Sequence, residues 1–97
     1  MNYNIGVWIT YDYIDGKLHG LYTISDLNDI KSKLEEGNYE NGVKVGMWTE
    51  WYENGQKKEE ENWKDGKRHG TYTQWHRNGQ KKEEGNYENG VKVVSFL

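Results

Sequence analysis

Two consecutive stretches of this chain are copies of one 24-residue unit: Gly46 to His69 (GMWTEWYENGQKKEEENWKDGKRH) and Gly70 to Val93 (GTYTQWHRNGQKKEEGNYENGVKV). Twelve of the 24 positions are identical, among them the run Asn-Gly-Gln-Lys-Lys-Glu-Glu. A short fixed period specifies one small supersecondary unit copied along an axis, each copy leaning on the next. Such arrays present an extended surface instead of closing around a catalytic cleft, so the expectation starts with binding.

The repeat reaches further back. Gly37 to Val45 matches Gly85 to Val93 letter for letter, and Tyr11 to Gly20 is a looser relative of Asn62 to Gly70. The 97 residues therefore form one expected domain of tandem units, with a degenerate copy over 11–45, full copies over 46–69 and 70–93, and a partial one over 94–97. Asp-Gly or Asn-Gly pairs punctuate the chain at Asp15-Gly16, Asn41-Gly42, Asn54-Gly55, Asp65-Gly66, Asn78-Gly79 and Asn89-Gly90. These dipeptides favour tight hairpin turns, both residues accepting positive φ. Between them lie stretches of one strand length, rich in Trp, Tyr, Thr and Val. The expected fold is all-β, a single-layer antiparallel β-meander of repeated hairpins.

Ile, Leu, Val and Phe together make up only 17 residues, so an ordinary aliphatic core is out of reach. Five Trp and eight Tyr compensate, and they recur in register. Strand alternation sends Trp48 and Trp51 to opposite faces, and likewise Tyr72 and Trp75. Neither face is continuously apolar, which disfavours a sandwich. Equivalent rings two strands apart need Trp63 and Tyr87 between them, and Gly46 and Gly70 are placed to let a ring lie over bare backbone. Segment Ser25 to Glu36 departs from the pattern. Leu27, Ile30 and Leu34 fall at helical spacing behind a Ser25 cap, predicting one short helix, with an extended hairpin and irregular loop as the alternative. Aliphatics gather at the ends: Ile5, Val7 and Ile9, then Val91, Val93, Val94, Phe96 (aligned with Trp48 and Tyr72) and Leu97. An open meander has two edges, and an apolar edge invites pairing, so a homodimer through an edge strand is one expectation.

No cysteine means no disulfide and no thiolate metal site, in keeping with a cytoplasmic location. No apolar run approaches the ~20 residues of a membrane helix. A net charge of −3, with Lys57-Lys58 and Lys81-Lys82 beside Glu59-Glu60 and Glu83-Glu84, argues against direct nucleic-acid binding. His19 and His69 share one repeat position before a glycine, which suits turn packing better than metal ligation, and His76 reads as a surface ring. Ser25, Ser32 and Ser95 pair with no histidine for nucleophilic catalysis. The paired glutamates read as solvated cross-strand ion pairs rather than hydrolytic acids. No catalytic residue, cofactor or metal is expected.

The motif G-x-W-x-x-W-Y-x-N-G-Q-K-K-E-E, followed by N-[WY]-x-x-G-K-x-x-G, resembles the MORN-repeat variant found in tandem in bacterial proteins, and is similar to the YwqK-type antitoxin family. The resemblance implies β-hairpin units in an extended sheet and a protein–protein role, proposed as neutralising a toxin. It carries no catalytic residues. The resulting expectation is a non-enzymatic module that blocks another protein, either a toxin or a nuclease-like or defence effector, by steric occlusion. A structural or membrane-associated scaffold is the competing expectation. Trp51, Tyr52, Trp75 and His76 are the expected anchors, and Lys57, Lys58, Lys81 and Lys82 the expected rim.

Overall fold

The computed structural model describes residues 6–29 and 32–94. Eleven strands follow in order: β1 Val7–Thr10, β2 Tyr13–Ile14, β3 Lys17–Leu18, β4 Gly20–Asp26, β5 Lys33–Glu40, β6 Val43–Trp51, β7 Lys57–Lys64, β8 Lys67–Arg68, β9 Gly70–Trp75, β10 Lys81–Glu88 and β11 Val91–Val94. Every pairing is antiparallel. One sheet runs β1-β4-β5-β6-β7-β9-β10-β11, with β8 paired to β7, and β2-β3 form a separate small hairpin. The Cα radius of gyration, 15.1 Å, exceeds the ~13 Å of a compact domain of this length, as an open single layer requires. Among the described residues no helix is long and apolar enough to cross a membrane.

The turns come in two kinds. At Asp15-Gly16, Asn41-Gly42, Asp65-Gly66 and Asn89-Gly90 both residues have positive φ, the geometry of a two-residue hairpin turn that matches strand twist. At the other two sites only Gly55 and Gly79 do. There the Asn54 and Asn78 side-chain oxygens instead accept the Gln56 and Gln80 backbone N–H groups, each at 2.9 Å, and a longer loop results. Tight turns thus lie at one end of the sheet and longer Asn-Gly-Gln tips at the other.

The helix expected over Ser25 to Glu36 does not form. Strands β4 and β5 continue the meander through it, with Thr23 opposite Glu36 and Ile24 opposite Glu35. Ser25 is buried in the sheet, and the Asp26 carboxylate accepts the Asn28 N–H at 2.8 Å, which starts a turn. Leu27 is drawn off by β1: its N–H donates to the Gly6 carbonyl and its own carbonyl accepts the Trp8 indole N–H at 3.1 Å. Of the helical stripe Leu27, Ile30 and Leu34, Ile30 lies outside the described residues, as do Ile5, Phe96 and Leu97 among the terminal apolar positions.

The interior is a layer of rings on one face. Trp48 and Tyr72 are each 2% exposed. The Trp48 centroid stands 5.1 Å from that of Tyr39 and 5.8 Å from Tyr22; Tyr72 stands 5.0 Å from Tyr87. Tyr87, on β10, packs against Tyr72; the next equivalent ring, Phe96, lies outside the described residues. Trp63 is tied in by cations instead, with Lys44 at 5.1 Å and Arg68 at 5.2 Å from its ring. The glycines beneath the rings are not Gly46 and Gly70, which have positive φ and no ring near a would-be Cβ. They are Gly37 and Gly85: a Cβ on Gly37 would meet the Trp48 indole at 2.1 Å, and one on Gly85 the Tyr72 ring at 2.9 Å.

In the third returning strand, β7, the same position holds Glu61, opposite Trp48. It fits because Trp48 leans toward β5 and Tyr72 toward β10, leaving room between them. Its carboxylate, nine-tenths buried, accepts the Trp63 indole N–H at 2.9 Å and the Arg68 Nε–H at 2.8 Å.

Candidate protein-binding surface

Over Trp48, Tyr72 and Tyr87 the ring face is covered by cations, while Tyr11 and Tyr13, packed at the Tyr22 end of the layer, remain exposed. Lys44 lies 4.4 Å over Trp48, Arg68 5.6 Å over Tyr87 and Lys92 5.2 Å over Tyr72. These three cations occupy one repeat position and roof the aromatic layer. Lys92 also meets Glu83 at 2.9 Å, and Glu83 accepts the Tyr72 hydroxyl at 3.1 Å. The Lys92 bond, helped by the one from Tyr72, holds the Glu83 carboxyl below its ordinary range; burial and the bond to Glu83 push the Tyr72 hydroxyl up.

The opposite face and the long-loop end differ. Trp51 and Trp75 point away from the ring layer by strand alternation. Each sits at a β-bulge. Glu50 faces Glu59 but Trp51 faces Lys57, leaving Lys58 as the extra residue; Gln74 faces Glu83 but Trp75 faces Lys81, leaving Lys82. Leu34 is the corresponding extra residue in β5, between Glu35 and Lys33. The bulge brings residues three apart to one side, which a regular strand would put on opposite faces. Lys33 accordingly pairs with Glu36, Lys57 with Glu60 at 3.1 Å and Lys81 with Glu84 at 2.9 Å. Of the paired glutamates expected to bond across strands, Glu60 and Glu84 pair along their own strands instead, while Glu83 does pair across strands, with Lys92.

Adjacent tips are latched together. The Tyr52 hydroxyl donates to the Trp75 carbonyl at 2.8 Å, and the Asn54 amide to the Arg77 carbonyl at 2.9 Å. Lys58 and Arg77 lie 5.8 and 5.6 Å from the Tyr52 ring centroid, and Lys57 lies 5.9 Å from that of Trp75. Tyr52, Trp75, Lys57 and Lys58 therefore form one cluster. Trp51 lies beside it and lines an open cleft of about 490 Å³ with Asp29, Ser32, Lys33 and Gly55. His76, Lys81 and Lys82 belong to the next tip, and His76 is exposed with its N–H donated to the Gln80 carbonyl at 2.8 Å. Arg77 was not foreseen. Its signal was the repeat position it shares with Glu53, where an acid becomes a base between copies.

His19 and His69 donate their backbone N–H groups to the carbonyls of Asp12 and Asn62 at 2.9 and 2.8 Å, which places both in turn packing. Among the described residues no group of three His, Cys, Asp or Glu side chains is arranged to hold a metal ion.

Residues 44–65 and 68–89 match the MORN repeat variant. The first matched segment runs from β6 through a long tip to the tight turn after β7, the second from β8 through β9 and a long tip to the tight turn after β10, so the tip cluster lies within and between them. No curated protein and no solved structure matches the chain.

Proposed function

We propose that this chain is a non-enzymatic binding module that docks a partner protein on the tip surface and blocks it by occlusion. The observation that carries the reading is the latch between successive tips: Tyr52 and Asn54 hydrogen-bond the backbone of the next tip, so aromatic side chains and cations stand on a preformed frame. A preformed surface loses little ordering entropy on binding. Trp51, Tyr52, Trp75 and His76 serve as anchors, with Lys57, Lys58, Lys81, Lys82 and Arg77 as rim. Lys57 and Lys81 are matched by Glu60 and Glu84, whereas no ion pair is formed by Lys58, Lys82 or Arg77 among the described residues. That favours a partner with an acidic face, steered by charge. The partner class is a toxin or a nuclease-like or defence effector.

The test is affinity capture with the intact chain against the Trp51→Ala/Trp75→Ala variant. The expected result is a single captured protein whose recovery falls at least tenfold with the variant, while the variant keeps the far-ultraviolet circular dichroism of the folded chain at the temperature of capture. Equal recovery by both, or pelleting of the chain with anionic vesicles in place of any protein, contradicts the proposal and favours the scaffold.

A second contact surface is the sheet edge. The outer side of β11 pairs with no strand among the described residues, and Val91 and Val93 are exposed on it. We propose that two copies associate there. Light scattering across a concentration series should show a dimer that Val93→Lys abolishes; a monomer at all concentrations contradicts it.

A further inference from the structure

A second row on the ring face runs straight across the sheet and is made of acids. Glu35 on β5 stands opposite Glu50 on β6, and Glu50 stands opposite Glu59 on β7. Like charges directly opposed across strands repel. Glu61 stands two residues from Glu59 along the same face of β7, so a fourth carboxylate adjoins the row. Its two oxygens accept from Trp63 and Arg68, which hold it in place beside Glu59. On its other side Glu59 faces Gln74 of β9, and beyond Glu35 the row ends at Ile24 of β4.

We propose that Glu35 and Glu59, on either side of Glu50, form an acid-closing latch, taking up protons from solvent and binding β5, β6 and β7 more tightly as the medium turns mildly acidic.

The charged surroundings support this. Burial raises the Glu35 carboxyl, followed by Glu50 and then Glu61, with Lys44 pulling the other way. Burial also raises Glu59, and the neighbouring Glu61 and Glu50 add to it, while a bond from Gln74 opposes. Arg68 on β8 faces Glu61 and Glu59 and is held by Glu61. Lys57, on the strand of Glu59, is engaged by Glu60. Lys44 is therefore the cation acting on Glu35, and Arg68 the one beside Glu59.

The sign follows from linkage. Both raised groups are protonated in the sheet at a pH where the unfolded chain has released its protons, so the folded state holds more protons in that window. Stability then falls as pH rises through the folded values and grows as pH drops toward the ordinary carboxylate range. Glu83 has the opposite sign. Its depressed carboxyl contributes stability above the ordinary range that is lost as pH falls below it. The sheet should therefore be most stable in mildly acidic solution.

Urea unfolding of the full chain between pH 4 and 8 tests this, with Glu59→Gln and the double variant Glu35→Gln/Glu59→Gln alongside. Glutamine keeps the shape and carries no charge. The expected result is a wild-type midpoint that rises from pH 8 to about pH 5, and a Glu59→Gln midpoint above wild type at pH 8 with the difference closing at pH 5. In carboxyl-detected NMR titration, the Glu59 resonance should move above the ordinary range. Three results would overturn the proposal: a flat wild-type profile, a Glu59→Gln variant weaker than wild type at pH 8, or a pH dependence kept in full by the double variant, which would assign it to other groups such as the histidines.

Discussion

Replacing Trp48 with alanine should cost the fold a large part of its stability and lower the urea midpoint steeply. Among the described residues Trp48 is one of two apolar side chains that reach 2% exposure, and it sits where two other rings meet. Its ring contacts Tyr22 and Tyr39, lies on the backbone of Gly37, carries Lys44 at 4.4 Å, and donates its indole N–H to the Asn38 carbonyl at 3.2 Å. Truncating a buried Trp to Ala removes ~3–5 kcal/mol in well-packed cores. A domain of this size has a total stability of roughly 5–15 kcal/mol. With only one layer and no aliphatic interior to relax into the gap, the loss should fall at the upper end. Trp51→Ala is the control, since Trp51 is half-buried on the other face; its effect should stay within ~1–2 kcal/mol. Urea denaturation followed by far-ultraviolet circular dichroism separates the two. Equal midpoints would show that the ring layer is not the core.

The second large effect is Gly37→Ala. The added methyl would stand 2.1 Å from Cδ2 and 2.2 Å from Cε2 of Trp48, and the indole has nowhere to go, bracketed by Tyr22, Tyr39 and Lys44. Overpacking of this kind costs about 1–3 kcal/mol and occasionally more; the flanking rings put this site at the high end. Gly46→Ala provides the contrast. Nothing lies near its would-be Cβ, but its φ of 68° strains an L-residue, so a loss of only ~1–2 kcal/mol is expected. The coupling is also testable: Gly37→Ala should cost much less in a Trp48→Val background, because the clash has been removed. Additive losses in that double variant would mean that Gly37 matters for its backbone and not for the ring above it.

The hairpin order, the antiparallel pairing and the use of both faces were legible because they rest on local signals, namely turn dipeptides at regular spacing and strand alternation. The helix over Ser25 to Glu36 was misread because three apolar residues at helical spacing outweighed the alignment. Lys33-Leu34-Glu35-Glu36 stands in register with Lys57-Lys58-Glu59-Glu60, which are strand residues in the full copies. Which glycine lies beneath which ring was not legible. It depends on the direction each ring leans across the sheet, and Trp48 and Tyr72 lean opposite ways. For the candidate surface, Tyr52, Trp75, Lys57 and Lys58 could be singled out because positions 51/75, 52/76, 57/81 and 58/82 carry an aromatic or a basic residue in both copies; that these four meet in one cluster was not legible. Arg77 escaped because its contacts are made to the neighbouring tip, 23 or more residues back, through backbone that only the fold brings near. The acid row likewise exists only once the register of β5, β6 and β7 is known.

The claim on which the rest stands is a single layer of strands whose interior is aromatic rings seated on glycine backbone. Proton NMR of the intact chain tests it directly through the α-protons of Gly37 and Gly85. Seated beneath Trp48 and Tyr72, both should be shifted well upfield by the ring currents and show cross-peaks to the indole and phenol protons. Glycine α-protons at ordinary positions, without those cross-peaks, would contradict the fold and with it the surface built on its tips.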